Sequence, residues 1–264
     1  MKTCVAVPIT SKETQMTHQA LEEQLVALRL STFRNALREQ RENPKYNDLP
    51  FEDRLSMLVE AEYLQRRENR IKRNIRVAKL PMQAALEDVD FAPGRGLERR
   101  RILELGQSGW IVSRQNLLVL GPTGSGKTYL ASALGVAAAR NQYTVRYHRV
   151  ARLLHALTLA RQEGTLLNFL RSLAKTKLLI IDDWMRDAIT IQNAQDLLEV
   201  LDDRFGHAAT LISSQVPVAD WHLRIPDPTL ADAILDRIVH TAHRIQLEGE
   251  SQRKLRAKRT MPNT

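Results

Sequence analysis

The stretch Leu117-Leu-Val-Leu-Gly-Pro-Thr-Gly-Ser-Gly-Lys-Thr128 decides the fold of this chain. Its first four residues form a short apolar run typical of a buried strand, and the rest match G-x-x-x-x-G-K-[ST] at every fixed position. The Ala- and Leu-rich segment 129–140 contains no proline and is predicted to be a helix. A glycine-rich turn could match the pattern by chance, but a strand before it and a helix after it indicate a phosphate-binding loop.

The residue types of this loop explain what it can bind. Glycines let the backbone curve closely around an anion, so that successive N–H groups and the N-terminus of the next helix face phosphate oxygens. Lys127 is then expected to reach the β- and γ-phosphates of a nucleotide, and the Thr128 hydroxyl to ligate Mg²⁺. The predicted phosphate-binding residues are Gly121, Pro122, Thr123, Gly124, Ser125, Gly126, Lys127 and Thr128.

A second apolar run, Lys177-Leu-Leu-Ile-Ile-Asp-Asp183, ends in two acidic residues. Continuous apolar runs are typical of strands in the middle of a parallel sheet, whose ligands bind beyond the carboxyl ends of the strands. We therefore predict that Asp182 holds Mg²⁺, directly or through water, and that Asp183 orients or deprotonates an attacking water molecule. The alternative for Asp183 is that it only caps the turn after the strand.

The segment 210–215 is a further apolar strand that ends in polar residues. In phosphate-loop ATPases with a strand inserted between the two strands above, such a polar end lies beside the γ-phosphate. Gln215 is the first choice for that contact and Ser214 the second; alternatively, both only begin the turn before Pro217. Strands are also predicted over residues 144–150 and 243–247, with helical segments between the strands, which indicates an α/β fold.

The N-terminal part of the chain is predicted to be all-helical. Apolar residues recur at spacings of three and four from Thr17 onward, and this helix should end at Pro44. A second helix is predicted to begin near Pro50.

A domain boundary is predicted near residue 88, within a loop-like passage marked by Pro81 and Pro93-Gly-Arg-Gly96. Residues 1–88 would then form a small helical domain that binds DNA or a partner. Residues 89–264 would form the α/β domain.

The end of the second helix is strongly basic, with seven positive residues and one negative residue between 66 and 79. Apolar residues at Ile71, Ile75 and Ala78 keep a helical stripe, so the positive side chains can project from a folded helix. Such a surface fits the phosphates of duplex DNA, although a charge run can also be a merely solvated face. The predicted DNA-binding residues are Arg66, Arg67, Arg70, Lys72, Arg73, Arg76 and Lys79.

Composition agrees with a polyanionic partner. The formal net charge is +9, which favours nucleic acid because clustered Lys and Arg release counterions from phosphates. The single cysteine, Cys4, cannot form an intramolecular disulfide and fits a reducing compartment. No apolar run is long enough to span a membrane, and we predict a soluble, cytoplasmic protein with no membrane contact.

Five motifs together carry a resemblance to one family. They are Gly-Pro-Thr-Gly-Ser-Gly-Lys-Thr (121–128), Leu-Leu-Ile-Ile-Asp-Asp-Trp (178–184), Ser-Ser-Gln-Val-Pro (213–217) with Trp221-His222, Ala-Ile-Leu-Asp-Arg (233–237) and Gly-Glu-Ser-Gln-Arg (249–253). In these motifs the chain resembles the IstB-like ATP-binding proteins. These are transposition helpers of bacterial insertion sequences, similar to the DnaC helicase loaders in the initiator clade of AAA+ ATPases.

This resemblance implies an AAA+ fold with a parallel five-stranded sheet, ATP with Mg²⁺ at the phosphate loop, and an ATP-dependent homo-oligomer on double-stranded DNA that directs a partner transposase. It also implies that Arg237 is an arginine finger acting on the ATP of a neighbouring subunit. Such a finger typically raises the rate of hydrolysis by roughly 10³- to 10⁵-fold. Arg253 is a candidate for the sensor-2 arginine. Met185 is a departure, since many relatives carry glycine there, and it is expected to alter the turn near Mg²⁺.

Two other functions compete with a transposition helper. A replicative helicase loader is also an AAA+ protein, but its N-terminal domain docks a helicase and its substrate is single-stranded DNA. A small-molecule kinase would share the phosphate loop, but no acceptor lid is apparent between residues 128 and 178, and the basic run would have no purpose.

Overall fold

A computed structural model of the protein describes residues 11–240, 242–249 and 251. Contacts divide the chain into two compact units, Met1–Arg70 and Ile71–Thr264, and each is described by itself. The domain boundary near residue 88 stays a prediction.

The described residues of the first unit are helical. Helix α1 spans Ser11–Ala27, α2 spans Ser31–Glu42, and a 3-10 turn covers Pro44–Tyr46. Helix α3 spans Phe51–Ala78 and so begins in this unit and ends in the next. Helix α3 begins at Phe51, next to the predicted start near Pro50.

The prediction of one helix from Thr17 to Pro44 is wrong, because the chain turns sharply between α1 and α2. Arg29 has a left-handed backbone with φ of +56°. The N–H of Leu30 donates to the carbonyl of Leu25 over 2.8 Å, which closes the end of α1. A single left-handed residue of this kind ends a helix without proline or glycine, so the sequence carries no clear signal for it.

The N-terminus of α2 is capped by a carboxylate from α3. Glu62 Oε2 accepts the backbone N–H groups of Thr32 and Phe33, each over 3.0 Å. Its other oxygen accepts from Arg66 Nε over 2.7 Å, and Arg66 Nη2 also donates to the carbonyl of Arg29. Glu62 is only 8% exposed. Burial opposes its ionisation, but the hydrogen bonds from Phe33 and Arg66 outweigh burial and lower the pKa of Glu62.

Glu62→Gln is expected to destabilise the first unit by about 1–2 kcal/mol at pH 7, because it removes the charge from a helix cap and from an ion pair. The folded-state pKa of Glu62 is lowered, so its ionisation stabilises the fold above pH 4.5, the ordinary value. That contribution is lost as the pH falls through the lowered pKa. The difference between wild type and variant, measured by urea unfolding of the full chain followed by circular dichroism, should therefore shrink in acid.

The exposed Glu60 on the same helix provides the control. Glu60→Gln should change the unfolding free energy by less than about 0.5 kcal/mol. Equal effects at the two positions would contradict the capping role of Glu62.

The second unit is an α/β domain. Its strands are β1 (Leu117–Leu120), β2 (Val145–Arg149), β3 (Leu178–Asp182), β4 (Ala209–Ser214) and β5 (His243–Gln246). Its helices are α4 (Arg99–Gly106), α5 (Gly109–Val112), α6 (Lys127–Arg140), α7 (Val150–Gln162), α8 (Leu166–Ala174), α9 (Ile191–Asp202) and α10 (Pro228–Val239), with 3-10 turns at Val218–Asp220 and His222–Arg224.

All five strands are parallel, in the order β2-β3-β4-β1-β5. Strand β4 therefore lies between β1, which leads into the phosphate loop, and β3, which ends at Asp182. In the register of the sheet, Leu120 pairs with Ser214, and Arg149 pairs with Asp182. The carboxyl ends of these strands thus meet at one edge of the sheet, and the predicted α/β fold with a parallel five-stranded sheet is confirmed.

The sheet is covered by apolar side chains on both faces. Leu117 and Val119 belong to a core cluster on the side of α6, while Leu118 between them belongs to a cluster on the side of α7, α9 and α10. In the second cluster, Trp184 and Trp221 pack edge to face with ring centroids 6.0 Å apart. Burial on both faces explains why β1 and β3 are continuous apolar runs.

Candidate functional site

The phosphate loop connects β1 to α6, and its backbone requires glycine. Gly121 has φ of +150°, and a Cβ there would lie 2.5 Å from the carbonyl oxygen of Leu247. Gly124 has φ of +83°, and its Cβ would lie 2.3 Å from the hydroxyl of Ser251. The loop is therefore held close to the chain that follows β5, with no room for a side chain at either position.

Lys127 is the first residue of α6 and lies folded against the loop. Its Nζ donates to the carbonyl oxygens of Gly121 and Pro122, each over 2.8 Å, and the residue is 9% exposed. Burial lowers the pKa of Lys127, and the negative charges of Asp182 and Asp183 oppose that shift. A partly desolvated ammonium at this place is suited to neutralise phosphate.

Asp182 lies at the end of β3 and is 1% exposed. Its Oδ2 accepts hydrogen bonds from Thr128 Oγ1 over 2.8 Å and from Tyr147 OH over 2.7 Å. Its Oδ1 accepts from Ser213 Oγ. The structure thus brings together Thr128 and Asp182, the two residues that the sequence predicts for Mg²⁺.

The sequence assigns no role to Tyr147 on β2 or to Ser213 on β4, although Ser213 begins one of the five family motifs. The two residues reach Asp182 only because β2 and β4 flank β3 in the sheet. Burial, and then the hydrogen bond to Asp182, raise the pKa of the Tyr147 phenol well above its ordinary value. Tyr147 is therefore a neutral donor at physiological pH and holds the carboxylate of Asp182 in place.

Asp183 is more exposed than Asp182 and faces arginines. Its Oδ2 lies 3.8 Å from Arg149 Nε and 3.7 Å from Arg186 Nη1. Its backbone is left-handed, with φ of +58°. Asp tolerates this region better than most residues.

The two predicted residues at the end of β4 differ in their surroundings. Gln215 is exposed, and its Oε1 accepts from Thr123 Oγ1 in the phosphate loop. Ser214 is buried; its hydroxyl donates to the carbonyl of Trp184 over 2.7 Å and accepts from the N–H of Val216. The hydroxyl of Ser214 thus closes the turn after β4, while Gln215 contacts the phosphate loop. A catalytic role for either residue stays a prediction.

One cleft is lined by the phosphate loop and by apolar side chains. Its polar lining next to the loop consists of Thr123, Gly124, Gly126, Lys127, Thr128, Asp183 and Gln215. Its lining also includes the apolar residues Met82, Val89, Leu97 and Leu247 and the charged residues Asp88, Asp90 and Arg95. Polar groups for the phosphates and apolar side chains for a flat ring suit a nucleotide.

Arg237 lies in the last turn of α10 and makes its contacts away from this cleft. Its Nε donates to Asp202 over 2.7 Å, and its Nη1 to Asp236 over 2.6 Å. The guanidinium also lies over the ring of Phe205, 5.1 Å from its centroid. The hydrogen bond that Arg237 donates to Asp202 raises the pKa of Arg237. The structure does not place Arg237 beside the phosphate loop of its own chain.

The seven basic residues predicted to bind DNA are all exposed. Six lie on α3, and Lys79 follows its last residue with a left-handed backbone. Of the residues between them, Ala78 is buried and Asn74 donates to the carbonyl of Tyr143 over 3.1 Å. Arg66 differs from the other six because it also holds the Glu62 cap of α2.

The site fits Mg²⁺ and a nucleotide by its donor chemistry. Mg²⁺ usually takes one or two protein oxygens and completes its shell with phosphate and water, and Thr128 and Asp182 offer such oxygens. Within the described residues, no group of three His, Cys, Asp or Glu could hold a metal ion by itself. The buried hydroxyl of Ser125 in the loop has no partner among the described residues and can hydrogen-bond a ligand.

The sequence profile of one family, described as IstB-like ATP binding protein, matches residues 23–260. The chain belongs to this family. It is 42% identical over 239 residues to y4pL of Sinorhizobium fredii, which is named as an insertion sequence ATP-binding protein. That match covers 90% of this chain and 97% of the relative.

Solved structures of AAA+ initiators and loaders share the fold of this IstB-like chain. AMPPCP-bound DnaA from Aquifex aeolicus matches with a TM-score of 0.55 and 17% identity, over 69% of this chain and 55% of that one. The DnaC helicase loader matches with a TM-score of 0.52 and 17% identity, over 65% of this chain and 100% of that one. The predicted AAA+ fold is confirmed, and identities this low show the fold alone.

Met185, where many IstB-like relatives were expected to carry glycine, has a left-handed backbone with φ of +50°. It is also 1% exposed. Glycine would relieve the backbone strain, whereas methionine fills the core beneath the turn. Methionine in place of the expected glycine therefore makes the turn harder to form but improves the packing next to Asp183.

The C-terminal run 253–259 carries five basic residues, and the sequence leaves open whether this basic tail binds DNA. The tail, including the sensor-2 candidate Arg253, lies outside the described residues. Among the helices that are described, none is long and apolar enough to cross a membrane.

Proposed function

We propose that this IstB-like chain is an ATP-dependent, DNA-binding ATPase that assembles on duplex DNA and directs a partner transposase. ATP would hold neighbouring subunits together, and its hydrolysis would release them. The family supplies the context of ATP binding and insertion sequences. DNA assembly, hydrolysis and the transposase are our inference.

One observation carries the nucleotide part of the proposal. The Thr128 hydroxyl and the Asp182 carboxylate lie 2.8 Å apart, at the point where a glycine loop and the end of β3 meet. This is the pair of oxygens that phosphate-loop ATPases use for Mg²⁺. Bound there, Mg²⁺ would neutralise charge on the β- and γ-phosphates.

Other residues around the cleft would bind different parts of the nucleotide. Backbone N–H groups from Gly121 to Thr128 would surround the phosphates, and Lys127 would exchange its carbonyl partners for phosphate oxygens. Gln215, which already contacts Thr123, would meet the γ-phosphate. The base would pack against the apolar side chains that line the cleft.

Hydrolysis is assigned to Asp183 and to an arginine from the next subunit. Asp183 is the more exposed carboxylate and lines the cleft, so it can orient or deprotonate water. Arg237 makes its contacts at the end of α10, which favours action in trans over action on its own ATP. Assembly would then be a condition for hydrolysis.

DNA binding is assigned to the basic part of α3. All seven basic residues are exposed, and helical spacing spreads the six that lie on α3 over adjacent faces of that helix. Contacts of this kind read the DNA backbone and carry no sequence preference. We therefore expect binding to duplex DNA that depends steeply on salt.

Replacing Arg70, Arg73 and Arg76 with Ala should flatten the salt dependence of DNA affinity. Each phosphate contact contributes roughly 0.9 log units of affinity per log unit of salt, so the slope should fall by about two to three. ATP binding should survive. Duplex affinity is measured across a salt series with an ATP analogue present. Arg66 is left in place because it holds the cap of α2.

The control removes the same charge elsewhere. Arg99, Arg100 and Arg101 are exposed residues of α4, and their replacement with Ala also lowers the net charge by three. If both triple variants flatten the slope equally, net charge and not α3 is responsible. If neither does, the DNA site lies elsewhere in the ATPase domain or in the tail 253–259.

The partner is tested by affinity capture of the full chain from its native host in the presence of ATP. Recovery of a transposase supports the proposal. Recovery of a replicative helicase would instead support a helicase loader, the class to which DnaC, similar in fold, belongs.

A further inference from the structure

Arg95 is a buried arginine beside the phosphate loop that has no assigned role. It lies in the turn Gly94-Arg-Gly96 and is 8% exposed. Gly96 has φ of +67°, and a Cβ there would lie 2.5 Å from the carbonyl oxygen of Gln246. The carbonyl of Arg95 accepts from the N–H of Glu248 over 3.0 Å. The turn is therefore fixed against the chain that follows β5.

The guanidinium of Arg95 reaches the backbone of the phosphate loop. Its Nη2 donates to the carbonyl oxygen of Ser125 over 2.7 Å, in a buried contact. Its Nη1 lies 3.3 Å from Asp90 Oδ2, and its buried Nε has no partner among the described residues. A Cβ on Gly126 would lie 3.2 Å from Nη2, so the guanidinium lies against the peptide that joins Ser125 and Gly126.

That peptide matters because it is planar. Its carbonyl oxygen and its N–H point in opposite directions, so a hydrogen bond that fixes the Ser125 oxygen also fixes the Gly126 N–H. In a phosphate loop, such N–H groups bind the phosphates. Gly126 is also the residue whose backbone is free to rotate, since it has no Cβ.

We propose that Arg95 is a positioning residue of the phosphate loop, which holds the Ser125 carbonyl and thereby orients the Gly126 N–H toward the polyphosphate of the nucleotide. The proposal rests on the proposed function only in that the loop binds a nucleoside triphosphate. Arg95 contacts both Asp90 and the loop, and it also lines the cleft. It acts through the backbone of the loop, so its effect is on binding of phosphate and not on recognition of the base.

Three ligands separate this role from a contact with the nucleoside. ATP, ADP and pyrophosphate all present linked phosphates to the loop, so loss of the Gly126 orientation should weaken all three by a similar factor. If the guanidinium contacted the base or ribose, ATP and ADP would bind more weakly while pyrophosphate would not change.

The test is the Kd of the full chain for these three ligands, measured by calorimetry at a temperature where circular dichroism shows each variant to be folded. Arg95→Gln should weaken each ligand about tenfold, the effect of losing one charge-assisted hydrogen bond. Arg95→Lys should recover part of that loss, because an ammonium can still donate to Ser125. Asp90→Asn, which keeps the arginine, should change Kd less than about threefold, as should Arg100→Gln on the exposed face of α4.

The outcomes are distinct. Unchanged Kd values in Arg95→Gln, or weakened nucleotides with unchanged pyrophosphate, would overturn the positioning role while leaving the nucleotide site intact. A wild-type chain that binds none of the three ligands would overturn the nucleotide site and this role together. If Arg95→Gln does not fold, Arg95→Lys decides: a similar small loss of affinity for all three ligands would support the proposal, and a loss confined to the nucleotides would refute it.

Discussion

The Lys127→Ala variant is expected to bind ATP about 100-fold more weakly than the wild type, or not measurably. The Lys127 ammonium is partly desolvated, with two carbonyl oxygens as its neighbours. When phosphates take the place of those carbonyls, the ammonium forms charge-assisted hydrogen bonds worth roughly 1.5–3 kcal/mol each. Two such bonds correspond to roughly two to four orders of magnitude in affinity.

The measurement is ATP binding at physiological Mg²⁺. Because Lys127 also holds the loop together through Gly121 and Pro122, the unfolding temperature of the variant is recorded alongside. Lys177→Ala, an exposed lysine just before β3, is the control and should bind ATP as the wild type does. Tight ATP binding by a folded Lys127→Ala variant is incompatible with the phosphate-loop assignment.

The Arg237→Ala variant is expected to bind ATP normally and to lose roughly 10³-fold or more of its hydrolysis rate in the assembled state. An arginine finger supplies positive charge to the transferring phosphoryl group only in the complete interface. Arg237 is paired with Asp202 in the isolated chain, so Asp202→Asn is a useful control. It breaks the same ion pair but keeps the arginine, and hydrolysis should persist.

Mixed assemblies give the sharper form of this prediction. Asp183→Asn subunits should bind ATP but hydrolyse it slowly, because they lack the carboxylate that orients water. In a mixture, an interface that joins the intact Asp183 of one subunit to the intact Arg237 of the next should recover activity. If no mixing ratio recovers any, Arg237 acts in cis or only stabilises α10.

The sequence predicted best the elements whose function demands a fixed pattern. The strand, loop and helix around residues 117–140 need glycines, an apolar strand and a helix in strict order, and the structure confirms that order. The apolar strand that ends at Asp182 was equally clear, because burial on both faces leaves a continuous apolar run. The position of β4 between β1 and β3 followed from the fold family.

What the sequence missed are contacts between distant segments. Tyr147 and Ser213 reach Asp182 from the two strands that flank β3, and Arg95 reaches the phosphate loop from the turn at 94–96. Composition and spacing do not mark these contacts, although Ser213 begins one of the five family motifs. Helix α8 was also missed, although Leu166, Phe169, Leu170 and Leu173 recur at helical spacing. The left-handed Arg29 separates α1 from α2, although no glycine or proline marks this turn in the sequence.

ATP-dependent assembly on DNA is the central feature of the proposed function, and one measurement tests it most directly. The mass of the complexes formed by the full chain on duplex DNA is measured with a non-hydrolysable ATP analogue, with ADP and without nucleotide, for example by mass photometry. We predict multi-subunit complexes on duplex DNA with the analogue, and only small or no complexes in the other two conditions. Complexes of the same mass in all three conditions would contradict the account.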